Sequence, residues 1–361
     1  MNFKRIAAAG TACLLMLNIY GCSFNIASDN NGSVNISKSA YSDTASDTET
    51  VYKYIMKTME SNQTQCEFFI SDESLINTDQ WLSHFPGIEQ IHCEYKNVKN
   101  GINVVLQLQY WDNYPIVYAY KNNDTSKLDD KQKKLLDKYK EVLNSYTSPD
   151  NTEYDNEIAI HDYLVANLNY VNNDDDNSRN FNAYDALINN KAVCSGYTEC
   201  FKTFMDMLGI ENTTVTGNAN GQNHIWNEVA LDGAYYHVDV TWDDPVNSSS
   251  DVISHTYFNL TDAQIAVDHK WDKNQESYKA AAGTDYSYPA RARLKNITSQ
   301  KELNSYMKSC ISSQKTYVEF TSTTSIDLQS AMNLANTSLS YSYKKNDFPD
   351  YTLHTIIIEY K

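Results

Sequence analysis

Glycine, proline and positive charge are all scarce in this chain. Only 11 of its 361 residues are glycine and 6 are proline, which excludes a collagen-like or Gly/Pro-rich low-complexity chain. Five of the glycines (Gly196, Gly209, Gly217, Gly221 and Gly233) fall in one 38-residue stretch, so the tight turns are concentrated there. Lys and Arg number 29 against 46 Asp and Glu, a formal charge of −17. A chain this acidic is a poor partner for nucleic acid or anionic wall polymers, and none is expected. Among the seven cysteines there is no Cys-x-x-Cys, and Cys194 and Cys200 do not have a zinc spacing. No metal or cofactor is therefore assigned. What is present is ordinary globular material, 41% hydrophobic and 21% charged, with length for two or three domains and at least one substantial core.

The N-terminus reads as a targeting segment. Lys4 and Arg5 form a positive n-region, and residues 6–19 form an apolar run too short to cross a bilayer comfortably. The run closes on Ile19-Tyr20-Gly21-Cys22, which resembles a bacterial lipoprotein signal in which Cys22 is lipidated and becomes the new N-terminus. An ordinary signal peptide with a chance cysteine is the alternative. Either places the chain outside the cytoplasm, as a lipid-anchored protein on the outer face of the cell membrane or as a secreted one. Residues 22–49 are rich in Ser, Asn, Asp and Thr and cannot form a core, so they read as a flexible tether. Loss of residues 1–21 removes two cations and no acid, which makes the mature chain more acidic still.

Once Cys13 leaves with the signal and Cys22 carries lipid, five cysteines remain, and an odd number outside the cell implies at least one free thiol. Cys66 and Cys93 fit either a disulfide or two buried thiols.

Three blocks follow the tether. Residues 50–149 read as an α+β module with a linking helix: helix 51–59, strand 66–70, a short helix near 81–85, strands 89–95 and 102–110, and a charged helix over 127–145. Residues 290–361 repeat that order with helix 301–310, strand 316–320, helix 327–336 and two final strands. Met56-Lys57-Thr58 aligns with Met307-Lys308-Ser309, and Phe69 with Phe320. The flanking modules are thus either divergent repeats or two similar small α+β units. Neither carries a visible set of reactive groups.

The chemistry is concentrated in residues 150–289. From Cys194 to Leu208 the apolar positions 197, 200, 201, 204, 205 and 208 follow one helix face, and Gly209 is a stop. Cys194 therefore stands in the first helical turn, where the positive dipole end favours a thiolate. Residues 224–231 and 234–242 alternate like strands around Asp232-Gly233, a two-residue hairpin signal. Pairing 231 with 234 puts His224 and Asp239 on one face as diagonal neighbours. That supplies a thiol, a base and a carboxylate to orient the base. His237 shares the face in this register, so a His224–His237–Asp239 metal site is a rival that leaves Cys194 unexplained.

Taken together, Ala183-Tyr184-Asp185-Ala186-Leu187, Lys191-Ala192-Val193-Cys194-Ser195-Gly196-Tyr197, Leu208-Gly209-Ile210, His224-Ile225-Trp226-Asn227 and Tyr236-His237-Val238-Asp239-Val240-Thr241-Trp242-Asp243-Asp244-Pro245 resemble the transglutaminase-like superfamily, in its bacterial extracellular branch. Tyr257-Phe258-Asn259-Leu260 and Asp268-His269-Lys270-Trp271-Asp272 look like that branch's tail. Ile160-His161-Asp162-Tyr163-Leu164 with Tyr170 looks like its opening helix. The resemblance implies a papain-like α+β core, with a nucleophile helix packed on an antiparallel sheet; the small α+β modules on either side lie outside it. It implies catalytic Cys194, His224 and Asp239, and an oxyanion hole made by the Cys194 N–H and an upstream side chain, for which Tyr184 is the candidate. Trp226 would shield a thioester and Asn227 would support the strand pair, while His161 and His269 read as structural. Asp174-Asp175-Asp176 reads as a solvated loop rather than a calcium site.

The expected activity is that of a transglutaminase-like cysteine acyltransferase or cysteine protease, a transferase or hydrolase. It would attack glutamine carboxamides or peptide bonds of extracellular proteins or peptides through a Cys194 thioester, as a monomer. A surface binding or adhesion module that keeps the fold without turnover is the alternative.

Overall fold

The computed structural model describes residues 4–9, 44–61, 63–85, 88–98, 101–110, 113–171, 182–244, 253–275, 278–334 and 338–360. Cys22, most of the expected tether, the Asp174–Asp176 run and Pro245 lie outside the described residues. The fold is mixed α+β, in two compact units, residues 1–133 and 134–361.

In the first unit the elements run β1 (Lys4–Ala9), β2 (Thr44–Ala45), α1 (Thr48–Glu60), β3 (Gln65–Ile70), α2 (Thr78–His84), β4 (Ile88–Val98), β5 (Gly101–Tyr110) and α3 (Tyr114–Asn122). The strands form one sheet in the order β1-β4-β5-β3-β2. Asp47 caps α1 by accepting from the Thr50 N–H, and Val51, Ile55, Thr58 and Met59 form its buried stripe. Alternate residues of the strands (Phe68 and Ile70, Val104, Leu106 and Leu108, Ile91, Cys93 and Tyr95) are buried with that stripe and Trp81 of α2. Cys66 and Cys93 pair with Leu106 from opposite sides of β5. Two strand spacings, roughly 10 Å, separate them, beyond the reach of a disulfide. Both are buried free thiols, which closes the choice left open by the sequence.

The second unit continues with α4 (Asp130–Tyr146), α5 (Glu153–Asn167), β6 (Asn169–Tyr170), α6 (Ala183–Asn189), β7 (Lys191–Ala192) and α7 (Cys194–Leu208). Then come β8 (Asn212–Ala219), β9 (Gln222–Leu231), β10 (Ala234–Val238), α8 (Val240–Asp243), α9 (Asp262–Ile265) and β11 (His269–Trp271). Strands β10-β9-β8-β11 form an antiparallel sheet, and α7 packs on it with Tyr197, Cys200, Phe201, Phe204 and Met205 fully buried. A short parallel pair, β6 with β7, sets Tyr170 beside Ala192, just before the helix that Cys194 opens.

The chain ends with α10 (Tyr288–Arg291), β12 (Lys295–Ile297), α11 (Gln300–Ser312), β13 (Tyr317–Ser322), α12 (Leu328–Asn333), β14 (Leu339–Asp347) and β15 (Thr352–Tyr360). The sheet β12-β13-β15-β14 has the connectivity of β2-β3-β5-β4, including a parallel first pair and antiparallel pairs after it. Buried Val51, Ile55, Thr58 and Phe68 correspond to buried Leu303, Met307, Cys310 and Phe320. The aligned sequence motifs were therefore one residue out of step, since Ile55 rather than Met56 is the counterpart of Met307. No helix among the described residues is long and apolar enough to cross a membrane.

Candidate functional site

Cys194 is the first residue of α7 and is half-buried. The N-cap residue, Val193, has no side-chain acceptor to offer, so the first-turn N–H groups of α7 have no side-chain cap. At the far end Gly209 terminates the helix at φ 78, in the left-handed region where a side chain is disfavoured. The same helix is fastened to the neighbouring sheet by two bonds. Thr198 Oγ1 donates to the Ile225 carbonyl at 3.0 Å, and Asn227 Nδ2 donates to the Thr198 carbonyl at 3.2 Å. Asn227 thus joins the nucleophile helix to β9, rather than bracing β9 against β10.

The hairpin has the register expected from its turn: Ala234 pairs with Leu231 and Val238 with Asn227, around Asp232 (φ 48) and Gly233 (φ 77). The second strand is shorter than expected. Instead of running to residue 242, β10 stops at Val238, and Asp239 becomes the N-cap of α8, where its Oδ1 accepts from the Thr241 and Trp242 N–H groups at 3.1 and 3.2 Å. Asp239 Oδ2 faces His224 Nε2 at 2.7 Å. Cys194 lies in electrostatic contact with the His224 ring, so thiol, imidazole and carboxylate stand in series.

Both ionisable partners of the pair are shifted. Burial pulls His224 down, but the Asp239 charge and hydrogen bond, and then Cys194, outweigh it and raise the imidazole well above its ordinary value. Burial pushes Asp239 up, and His224 and His269 together overcome this and hold it well below the usual carboxylate range.

His237 is not part of this group. Its Nδ1 accepts from Trp226 Nε1 at 3.0 Å and its Nε2 faces Asp262 at 2.9 Å. The rival site of His224, His237 and Asp239 is not assembled. The second imidazole on Asp239 is His269, with Nε2 at 3.0 Å from Oδ2. Donor atoms of His224, Asp239 and His269 lie within 4.8 Å of one another, close enough for a metal ion, although Asp239 Oδ2 already hydrogen-bonds to both imidazoles. His161 is a brace: fully buried, it faces Asp162 at 3.0 Å and Asp243 at 3.2 Å, tying α5 to α8.

Trp226, the expected shield of the thioester, is fully buried. Its indole lies under His224, with ring centres 5.9 Å apart and planes 19° from parallel. Tyr184 has the Lys134 ammonium 5.8 Å from its ring centre. The tyrosine in electrostatic contact with Cys194 and Asp239 is Tyr170 of β6, whose hydroxyl is kept protonated by burial and then by those two neighbours. In sequence Tyr170 was visible only as part of the opening-helix motif.

Residues 140–240 match the family model described as the transglutaminase-like superfamily. The matched span contains Cys194, His224, Asp239 and Tyr170 and ends before His269. Among solved structures the chain is similar to one described as a TGase, with 17% identity over 49% of this chain and 51% of that one and a TM-score of 0.29. It is similar to a candidate cysteine protease from Cytophaga hutchinsonii, with 17% identity over 43% of this chain and 62% of that one and a TM-score of 0.25. It is also similar to calcium-bound LapG from Legionella pneumophila, with 10% identity over 49% of this chain and 98% of that one and a TM-score of 0.27. The chain thus spans about half the length of the TGase it resembles. No curated protein sequence matches it. The likeness to the transglutaminase-like superfamily is thus carried by residues 140–240.

Proposed function

We propose that the chain is a thiol-dependent enzyme in which Cys194 attacks the carbonyl carbon of a glutamine carboxamide or peptide bond and His224 and Asp239 serve that attack. The observation that carries this reading is the series Cys194–His224–Asp239, with the thiol at an uncapped helix N-terminus. The helix N-terminus and the His224 ring stand together at the sulfur that must pass its proton to a base. Asp239, facing His224 Nε2, leaves Nδ1 as the ring nitrogen for Cys194.

In the reaction the Cys194 thiol proton resides on His224 while the sulfur forms its bond to the carbonyl carbon. The electron pair displaced onto oxygen is met by the Cys194 backbone N–H and by the hydroxyl of Tyr170, which takes the role assigned to Tyr184 from the sequence. His224 then protonates the leaving nitrogen, ammonia or a peptide amine, and a thioester remains on Cys194. Water or an acceptor amine attacks the thioester, His224 takes the proton of the attacking group and returns it to the sulfur, and acid or new amide departs. Trp226 beneath His224 sets the ring's tilt.

The N-terminal pattern supports an extracellular, membrane-anchored setting with lipid on Cys22, and a protein or peptide substrate met there. Labelling with iodoacetamide across pH tests the nucleophile: Cys194 should react faster near neutral pH than a free thiol, and His224→Ala should abolish the difference. If neither holds, the catalytic reading fails. A glutamine peptide offered with a fluorescent amine then separates transfer from hydrolysis. Metabolic labelling with a fatty acid, lost in Cys22→Ala, tests the anchor.

A further inference from the structure

Asp239 carries two imidazoles, and the second is unused by the reaction as written. His269 is 1% exposed and arrives on β11, across β8 from the strand that bears His224. Its Nε2 lies 3.0 Å from Asp239 Oδ2, and its Nδ1 lies 2.6 Å from Asp268 Oδ1. Asp268 is held in turn by the Tyr257 hydroxyl, which donates to Oδ2 at 2.6 Å.

An ionised carboxylate only accepts, so each nitrogen of His269 needs a proton to satisfy its neighbour. A neutral ring would leave a lone pair facing a carboxylate oxygen in a buried site. Asp239 is ionised, because its two oxygens accept from two backbone N–H groups and two rings. The ring between the two carboxylates is therefore an imidazolium. Burial works against this charge, and the Asp239 and Asp268 hydrogen bonds overcome it, raising His269 above its ordinary value.

We propose that His269 is a positioning residue for the Cys194–His224 pair: a fixed cation behind Asp239 that takes up part of the carboxylate's charge and so sets the pH at which the thiolate–imidazolium pair exists. This rests on the catalytic reading above. The His269 ring centre is 5.6 Å from that of His224. A positive charge there makes His224 a weaker base than a lone Asp239 would, and makes the Cys194 thiolate easier to form. His224 then gives up its proton to a leaving amine more readily. The other groups facing His269 are His237 from β10, lowered chiefly by its own burial, and the rings of Trp226, Trp242 and Tyr257, which carry no charge.

The test is the pH profile of Cys194 alkylation by iodoacetamide in the full chain, for wild type, His224→Ala, His269→Gln and Asp268→Asn, with circular dichroism to check folding. Gln keeps a donor toward Asp239 and loses the charge. The acid limb should move to higher pH by on the order of one unit in His269→Gln, and in the same direction in Asp268→Asn. A folded His269→Gln with an unmoved limb overturns the proposal, since a purely structural histidine would alter thermal stability and leave the limb in place. If the variant does not fold, imidazole 15N spectra of the wild type decide. Both His269 nitrogens should stay protonated from pH 5 to 8, and a neutral ring at pH 7 overturns the assignment. An ordinary, unactivated Cys194 in wild type would instead sink the catalytic reading, and the spectra would still judge the charge on His269.

Discussion

At the residue scale the site is a set of short-range consequences of a few placements. Cys194, His224 and Asp239 were legible because their chemistry is local to two recognisable pieces of sequence, a helix start and a two-residue hairpin turn. Tyr170 and His269 were not, because they reach the thiol and the carboxylate through strand pairings made far along the chain, β6 with β7 and β11 with β8. No periodicity announces such a return. The role given to Tyr170 yields a sharp expectation. Tyr170→Phe should lower kcat by on the order of a hundredfold with little change in KM, because the hydroxyl is needed only where negative charge develops. Steady-state rates with a glutamine peptide check it; an unchanged kcat would return the donor role to another side chain.

At the scale of elements, what the sequence misjudged has a common physical cause. β8 reads Asn212-Thr213-Thr214-Val215-Thr216-Gly217, too polar to suggest a strand, yet it is an inner strand of its sheet. Few of its own side chains are apolar, and of these Val215 is buried in a cluster with Trp226, Tyr257 and Leu260. β10 ends sooner than the alternation of Val238-Asp239-Val240 suggests, because the Asp239 carboxylate accepts backbone N–H groups and starts a helical turn. α3 is not announced by the sequence, because Pro at its start and three tyrosines look like loop and strand material. Gly217 shows how tightly the elements are set. A Cβ there would stand 2.2 Å from the Lys270 carbonyl oxygen and 2.9 Å from Trp226 Cη2. Gly217→Ala must push β11 off β8 and should destabilise the chain by about 2–3 kcal/mol in urea unfolding. Because β11 carries His269, it should also disturb Cys194 alkylation more than its loss of stability alone would.

Across the whole molecule the buried charge is distributed so that stability falls as pH rises. Burial pushes Glu157 and Glu228 up to about 8, each partly opposed by a hydrogen bond. His161, despite its burial, is raised to about 9 by its bonds to Asp162 and Asp243. A group raised on folding holds a proton that the unfolded chain has released. Its contribution is complete below the unfolded pKa and is lost as pH climbs through the folded one. Unfolding free energy should therefore decline from about pH 4.5, where the unfolded chain begins to release the two glutamate protons, to about pH 9. Glu157→Gln should flatten that decline, which chemical denaturation at several pH values will read; an unaltered slope would remove Glu157 from the account. His354, lowered to about 4 by burial, acts at the other end, where its contribution is lost as pH falls below the ordinary histidine range.

The spacing of Cys66 and Cys93 on either side of β5 has a practical consequence. Cys66, Cys93, Cys200 and Cys310 are all buried, and burial pushes every one of their thiols above the usual value. Only Cys194, among the described cysteines, is open to solvent. With Cys22 lipidated as proposed, the folded chain should consume a single equivalent of Ellman's reagent quickly, and the rest only when denatured. That stoichiometry would let the Cys194 thiol be counted directly in any preparation of the native chain.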